Sequence, residues 1–498
     1  MSAKYILAID QGTTGSTAMI LDRDLRVVGL AGQDFPQHFP KPGWVEHDLD
    51  EIWASVLAAV RGAMQHARAK PSEIAAIGIT NQRETTCLWE RATGKPVMRA
   101  IVWQDRRTAP ECARLRKRGV EASVRRKTGL VLSPYFSATK LQWMLHSSPT
   151  LASAARRGEL AFGTIDSFIL ARLTGAHATD VSNASRTLLM DLRRCRWDED
   201  LLRLFRIPRS VLPEILPSAV EYGRTRRFLD FPDGIPVTGI AGDQQAALFG
   251  QACFRPGMAK CTYGTGAFVM VNTGDEPVVS KSGLLTTMGW KIGDSPTYAL
   301  EGSAFIAGAA VQWLRDGLGL ISRSEEIETL AAGVSDADGV LFVPALTGLG
   351  APHWVPEATG LISGITRRTT KGHVARATLE GIAYQVSELL QAMSADMGKR
   401  LTTLRVDGGA SVNRLLMQFQ SDLLGLEVVR PETIETTALG AALQAGLGAG
   451  FWSGIEEIRK GWRQQASFRP AMRLAERKAR MESWRRAVRA VRSLAVSE

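Results

Sequence analysis

The sequence predicts an α/β protein made of two halves that face one another across a cleft. Three observations carry this reading. Short apolar runs rich in β-branched residues alternate with stretches of helical periodicity through the first half. A strand, a glycine-containing turn and a second strand occur once in each half, as "AIDQGTTGSTAMILD" (8–22) and "KCTYGTGAFVMVNTG" (260–274). No low-complexity linker separates the halves, as expected of domains packed on one another. The repeated unit reads as a duplication. The boundary falls near residue 250, giving domains of residues 1–250 and 251–498.

After the opening hairpin, "RVVGLAGQDF" (26–35) reads as a further strand. Asp48 and Asp50 mark an acidic helix start, and Ile52, Val56, Ala59, Val60 and Ala63 recur behind them at helical spacing. Segments 73–80, 85–90 and 100–105 read as short strands. The first and last run into polar clusters, Asn81-Gln82-Arg83-Glu84 and Gln104-Asp105-Arg106-Arg107. In open α/β sheets ligands gather beyond the C-terminal ends of strands, so these clusters are candidate site loops. A helix over 135–146 follows a turn at Ser133-Pro134. Beyond a proline-rich region (207–236), "VTGIAGDQQAALFG" is a strand that turns at Gly242-Asp243 into a helix. In the second half, "LRVDGGASVNRLLMQFQSDLLG" (404–425) gives a strand, a glycine turn and an amphipathic helix.

Composition sets the class. A chain of 498 residues with 45% hydrophobic and 22% charged residues is ordinary for a soluble globular protein. Asp10 interrupts the N-terminal apolar run, so no secretory signal is expected, and no apolar run is long enough to span a bilayer. The five cysteines (Cys87, Cys112, Cys195, Cys253, Cys261) form no C-x-x-C pair and suggest neither zinc nor a disulfide framework. A cytoplasmic location is the expectation. The net charge of +11 owes much to residues 469–492, where nine Lys/Arg face two Glu. Met472, Ala475, Ala479, Trp484 and Val488 recur there at helical spacing. They predict a terminal amphipathic helix docked by its apolar stripe, with solvated arginines outside, and neither nucleic-acid binding nor membrane insertion.

The chemistry lies in the turns. Hydroxyls and bare backbone N–H groups in a glycine turn suit phosphate oxygens, and Asp10 beside them can hold magnesium directly or through water. The plain alternative is a hairpin whose threonines satisfy β-propensity. No G-x-x-x-x-G-K-[ST] sequence and no H-R-D catalytic loop is present, which excludes P-loop enzymes and protein kinases. What remains is a divided set: Asp10 with its Gly/Thr turn, Asp243 in "GDQQ", the "YGTG" turn and "DGGASVN". Acidic residues at two turns, with glycines and hydroxyls around them, suit a nucleoside triphosphate with magnesium.

These segments resemble the phosphate and adenosine loops of the actin-like ATPase superfamily. "YFSATKLQWML" and "GLISGITRRTTKGHVARATLEG" resemble the two signatures of its carbohydrate-kinase branch, the FGGY family. Within it "NQRETT", "AIVWQDRRT", "SPYFSATK" and "AGDQQAALFG" are similar to the glycerol-phosphorylating members, and the resemblance runs from Ile6 to the C-terminal helix. It implies two ribonuclease-H-like domains with mixed sheets flanked by helices and the active site in the cleft between them. It also implies glycerol and ATP as substrates, Mg2+ as cofactor, and a homodimer or homotetramer.

Residue by residue, the resemblance implies that Arg83, Glu84, Tyr135, Asp243 and Gln244 contact the polyol and that Trp103 and Phe268 pack on its carbons. Without it the two aromatics read as ordinary core residues. Glu84 and Asp243 can accept hydroxyl protons; Arg83 and Tyr135 can donate. Asp243 is the implied catalytic base and Asp10 the implied magnesium organiser, probed below against the opposite assignment of the two roles. Carboxylates are weak bases, so positioning matters more than basicity. Thr13, Thr14, Gly15 and Ser16 match the first phosphate loop; Thr265, Gly308, Gln312, Gly409 and Asn413 match the remaining nucleotide contacts.

The chain departs from the pattern where Thr17 replaces a common arginine, removing one cationic phosphate contact. "RTRRFLDFPDGIP" lacks the Gly-Arg arrangement through which some members bind fructose 1,6-bisphosphate, and no histidine lies between His177 and His353 to serve as a phosphorylation switch. Two alternatives stand beside the main reading. One is a kinase for another polyol or sugar (xylulose, erythritol or gluconate) on the same scaffold. The other is a non-catalytic actin-like protein whose partner binding depends on ATP.

Overall fold

The computed structural model describes residues 3–495. Tyr5–Gln11 (β1), Gly15–Asp22 (β2), Val27–Asp34 (β3), Ile74–Asn81 (β4), Ala219–Arg224 (β5) and Pro236–Gly242 (β6) form one mixed sheet in the order β5-β6-β4-β1-β2-β3. The second sheet contains Met258–Tyr263 (β7), Ala267–Gly274 (β8), Leu285–Ile292 (β9), Ser295–Ala304 (β10), Thr403–Asp407 (β11), Val428–Pro431 (β12) and Gln464–Phe468 (β13). Its order is β9-β10-β8-β7-β11-β12-β13.

The duplication has a topological form. In the first sheet β3, β2 and β1 are mutually antiparallel, β4 and β6 continue parallel to β1, and β5 closes the edge antiparallel. In the second, β10, β8, β7, β11, β12 and β13 repeat that order and those directions, with β9 added outside β10. The turn between β1 and β2 therefore corresponds to the turn between β7 and β8, and the end of β6 to the end of β12. Segments 87–90 and 100–101 lie outside both large sheets, pairing with 160–163 and 46–47.

Local sequence accounts for the helices that cover these sheets. Helix Leu49–Ala67 (α1) starts at Asp48, whose side chain accepts from the backbone N–H groups of Asp50 and Glu51. Its Ile52, Val56, Ala59, Val60 and Ala63 bury against Leu7, Ile9, Ala18 and Ile20 of the first sheet. Further helices that position the site are Ser137–His146 (α2), Asp243–Gly250 (α3), Gly308–Asp316 (α4), Lys371–Met397 (α5), Arg414–Leu424 (α6), Thr436–Gly448 (α7) and Leu474–Ala495 (α8). α5 carries much of the second core, with Ile382, Val386 and Leu389 packed among Val269, Leu300 and Val406.

α3 and α7 occupy equivalent places after β6 and β12, and they join the halves. A Cβ at Gly440 would lie 1.8 Å from the Ala246 carbonyl oxygen, and one at Gly78 of β4 would lie 2.2 Å from that of Ala441. α7, a helix of the second half, thus packs under the first sheet, with Ala438, Ala441, Ala442 and Ala445 buried beside Ile6, Ala8, Leu248 and Phe249. Gly440→Ala forces a methyl group onto a backbone oxygen that no rotamer can move. It is expected to destabilise by about 3 kcal/mol, outweighing the ~1 kcal/mol that alanine gains in a helix. Thermal unfolding checks this: an unchanged Tm would mean the two helices are free to separate.

α8 docks through the C-terminal part of the stripe the sequence predicts, Trp484 and Val488, but not through Ala475 and Ala479. Its buried residues are Met481, Trp484, Ala487, Val488 and Val491, and the Trp484 ring stacks on Tyr384 at 5.2 Å. Ala475 and Ala479 are exposed and Met472 precedes the helix. Alanine offers too little apolar surface to set the phase, whereas the large Trp484 ring does.

Candidate active site

The turn between β1 and β2 is closed by Gly12 N–H donating to the Gly15 carbonyl at 2.8 Å. Thr14 is exposed at its tip, and a Cβ at Gly15 would stand 2.6 Å from the Asp34 carboxylate. Thr13 Oγ1 accepts from Trp103 Nε1 at 2.9 Å, which leaves the threonine proton free to donate. Ser16 is turned inward instead: its hydroxyl pairs with that of Ser55 at 2.7 Å, so it presents no hydroxyl to the turn. Thr17 stands opposite Asp10 in the β1/β2 ladder.

On the other sheet, Gly264–Gly266 makes the corresponding turn, and α4 is knitted to it. Gly308 N–H donates to the Gly264 carbonyl at 2.9 Å, and Ala307 and Ala309 N–H donate to that of Thr265. A Cβ at Gly308 would lie 2.7 Å from the Gly264 oxygen. Thr265 and Gln312 are exposed beside this junction. Gly408, at φ +81°, packs where a Cβ would strike Tyr263, leaving Gly409 exposed at the end of β11. Asn413 caps α6 through Oδ1, which accepts from Leu416 N–H at 2.9 Å.

The polar cluster lies at the ends of β4 and β6. Glu84 adopts φ +59°, a left-handed conformation that costs a non-glycine residue energy. Its carbonyl is held by the Thr86 and Ser137 hydroxyls, each at 3.0 Å. Glu84 Oε1 accepts from Arg186 Nε at 2.6 Å, and Oε2 has no hydrogen bond among the described residues. Asp243 has the same division. Its Oδ1 accepts from Gln244 N–H at 2.6 Å and lies 2.9 Å from Arg83 Nε, while Oδ2 has no partner among the described residues. Each carboxylate therefore has one oxygen tied and one available. Glu84 is buried, whereas the Asp243 side chain is 30% exposed.

Three further buried residues hold this cluster, Glu301 and Arg186 outside the motifs and Lys140 inside "SPYFSATK". Glu301, on β10 of the second sheet, accepts both terminal nitrogens of Arg83, at 2.5 and 2.9 Å, and Arg186 Nη2 at 3.2 Å. A chain of charges thus runs Asp243–Arg83–Glu301–Arg186–Glu84 across the domain boundary. Lys140 Nζ donates to the Pro134 and Tyr135 carbonyls, fixing the loop that presents Tyr135. Burial pulls this lysine down to about 7. Burial, then the charge of Glu84, pushes the Tyr135 phenol up, so it stays protonated and able to donate. Tyr135 meets Trp103 edge-on, with ring centroids 5.6 Å apart. Phe268 sits half-buried on β8 and touches no other ring among the described residues.

The backbone before Asp243 is fixed as well. Asp180 accepts from Ser182, Asn183 and Ser218; Ser182 Oγ in turn accepts Gly242 N–H at 2.9 Å, and Asn183 accepts from Asn81. Asp10, at the end of β1, is pushed well above the usual carboxylate range by burial and then by repulsion from Asp243 and Glu435. Bound positive charge would relieve that repulsion; among the described residues no three His, Cys, Asp or Glu side chains are grouped to cage a metal, a donor set that would suit magnesium held by one carboxylate and waters.

Two sheets of the same topology, each with a glycine/threonine turn between its leading strands and carboxylates at the strand ends, define a two-domain actin-like phosphotransferase. The chain belongs to the FGGY family of carbohydrate kinases. Residues 5–250 match the model of that family's N-terminal domain and residues 259–449 that of its C-terminal domain. It is 57% identical to the glycerol kinase of Myxococcus xanthus (strain DK1622) over 490 residues, covering 98% of this chain and 99% of the relative. It is 58% identical to that of Trichlorobacter lovleyi over 488 residues, covering 97% and 98%. The crystal structure of Plasmodium falciparum glycerol kinase with ADP superposes with a TM-score of 0.93 at 38% identity, covering 98% of both chains. A gluconate kinase from Lactobacillus acidophilus shares the fold at a TM-score of 0.87 and 22% identity, over 99% of each chain.

Proposed function

We propose that this protein is an ATP-dependent kinase that transfers the γ-phosphoryl group of ATP to a terminal hydroxyl of glycerol, giving sn-glycerol 3-phosphate. The observation that carries the acceptor assignment is the pair of half-committed carboxylates. Glu84 Oε2 and Asp243 Oδ2 are both without a protein partner among the described residues, while their other oxygens are anchored. A small polyol buries little apolar surface, so its recognition depends on such paired polar groups.

Asp243 accepts the proton of the attacking hydroxyl at Oδ2, Glu84 accepts a second hydroxyl, and the Tyr135 phenol donates to a third or to the same oxygen. The Trp103 ring covers the carbons, and its indole N–H steadies Thr13 in the phosphate turn. The hydroxyls and N–H groups of Thr13, Thr14, Gly15 and Thr265 face the phosphates. Gly308, Gln312, Gly409 and Asn413 line the nucleoside side. Asp10 would hold magnesium directly or through water, and the bound ion would supply positive charge to the phosphate oxygens. Closure of the halves excludes water, the competing acceptor.

The cell compartment and assembly follow from weaker supports. No helix of the described residues is long and apolar enough to cross a membrane, and all five cysteines are free, which suits a cytoplasmic enzyme. A homodimer or homotetramer is the expected assembly, checked by sedimentation.

ADP release with MgATP across glycerol, dihydroxyacetone, xylulose, erythritol, gluconate and no acceptor tests the reading. Glycerol is expected to be preferred, with glycerol 3-phosphate in the product. Faster turnover of another acceptor would keep the scaffold and discard the substrate. No acceptor-dependent turnover would favour an ATP-dependent interaction protein.

A further inference from the structure

We propose that Lys260 is a positioning residue that sets the orientation of the Gln244 side-chain amide and turns its NH2 group toward the acceptor. The proposal rests on reading the Arg83–Glu84–Asp243 cluster as the polyol pocket. Lys260 lies on β7 of the second sheet, between Met270 of β8 and Arg405 of β11, and is 0% exposed. Its Nζ reaches across the domain boundary to donate to Gln244 Oε1, and it donates to Thr262 Oγ1 at 2.9 Å.

Among the described residues no carboxylate lies within ion-pair distance of this buried ammonium. Asp407, on the neighbouring strand, has one oxygen (Oδ2) accepting from both Gln251 and Thr436. A buried cation without a paired anion is costly, and here its contacts are two neutral oxygens. One of them belongs to a residue beside the catalytic base.

The amide geometry follows from elementary chemistry. An ammonium only donates, so it takes the carbonyl oxygen of an amide and not its nitrogen. The Gln244 side chain is therefore locked with Oε1 toward Lys260. Its Nε2 donates to no protein atom among the described residues, and its backbone N–H already ties Asp243 Oδ1. The two N–H donors left over belong to the residue that follows Asp243, whose Oδ2 is itself available, and they can serve a polyol hydroxyl. Thr262 stands two residues before the Gly264–Thr265 turn. The same lysine thus links the acceptor side of the cleft to the strand that carries the second phosphate turn.

A double-mutant cycle on the full-length enzyme, read by steady-state kinetics with glycerol and MgATP, tests this. Lys260→Met is expected to raise the KM for glycerol by about tenfold while the KM for MgATP changes by less than about twofold. In a Gln244→Leu background the same substitution is expected to add less than about twofold, because its effect passes through Gln244. Effects that multiply would overturn the proposal. Gln244→Glu probes the contact from the other side and decides alone if Lys260→Met does not fold. It keeps an oxygen for Lys260, now as an ion pair, and removes the NH2 group. A Tm at or above that of the wild type with a glycerol KM raised about tenfold is expected; a lowered Tm or an unchanged KM would overturn the proposal. Wild-type enzyme without glycerol-dependent turnover would overturn the substrate reading with it, whereas normal turnover with multiplying effects removes only Lys260.

Discussion

Asp243→Asn is expected to lower kcat by roughly 10²–10⁴-fold, the range that a general base contributes, while Tm and MgADP affinity stay near those of the wild type. Asparagine keeps an oxygen for the Gln244 N–H and for the approach of Arg83, but it cannot take up the proton of the attacking hydroxyl. The fold is protected because Arg83 is anchored independently, through both terminal nitrogens, to Glu301. The side chain is also 30% exposed, so no buried charge is stranded by its loss. Single-turnover kinetics beside thermal unfolding and MgADP titration separate these effects. Turnover close to that of the wild type would remove Asp243 from its role. Asp10→Asn in the same assay distinguishes the opposite assignment. If Asp10 organises magnesium, raising Mg2+ recovers part of its activity, whereas no concentration of Mg2+ recovers Asp243→Asn.

Much of this site was legible in the sequence because its parts are contiguous. Asn81 to Glu84 follow an apolar strand, Asp243 follows another, and the two glycine turns each sit between strands, so position in the chain reveals position at the strand ends. The roles of Arg186, Glu301, Lys140 and Lys260 were not legible, although Lys140 and Lys260 fall inside conspicuous motifs. Each is a single charge inside an apolar or small-residue run ("NASRTLL", "YALEGSA", "FSATKLQ", "MAKCTY"). The partners of Glu301 lie 115 and 218 residues away, beyond any local pattern. The one available signal was a lone charge in a segment otherwise fit for burial, since such charges persist only when paired or hydrogen-bonded. Ser16 shows the reverse failure. It sits in the phosphate motif, yet the period-2 alternation of β2 points its side chain into the core. The packing of α7 beneath the first sheet was equally hidden, because helix–sheet contacts between halves leave only small residues, not a period, in the sequence.

Glu301→Gln carries the second large effect, and it acts on both stability and catalysis. Glu301 is the one acidic member of the clamp supplied by the second sheet, and it holds two arginines at once. Burial alone would push its carboxyl up, but Arg186 and Arg83 outweigh that and hold it down to about 2. Neutralising it leaves two buried guanidinium groups facing Glu84 and Asp243 alone, a loss of about 3–5 kcal/mol for breaking a buried pair from one side. The sign of the pH dependence follows. A carboxyl whose pKa is lower in the folded chain than in the unfolded one stabilises the protein above the unfolded value, about 4.3. That contribution is lost as pH falls toward 2. The Tm difference between wild type and Glu301→Gln should therefore be largest at neutral pH and shrink through this acid window. Arg83, released from Glu301, is expected to pair fully with Asp243, and Arg186 to shift Glu84. Displacements of that kind cost roughly 10²-fold in kcat/KM for glycerol, with the MgADP affinity little changed. A Tm difference that stays constant down to pH 2, or an unaltered kcat/KM, would show that the acceptor carboxylates keep their places without the second domain's glutamate.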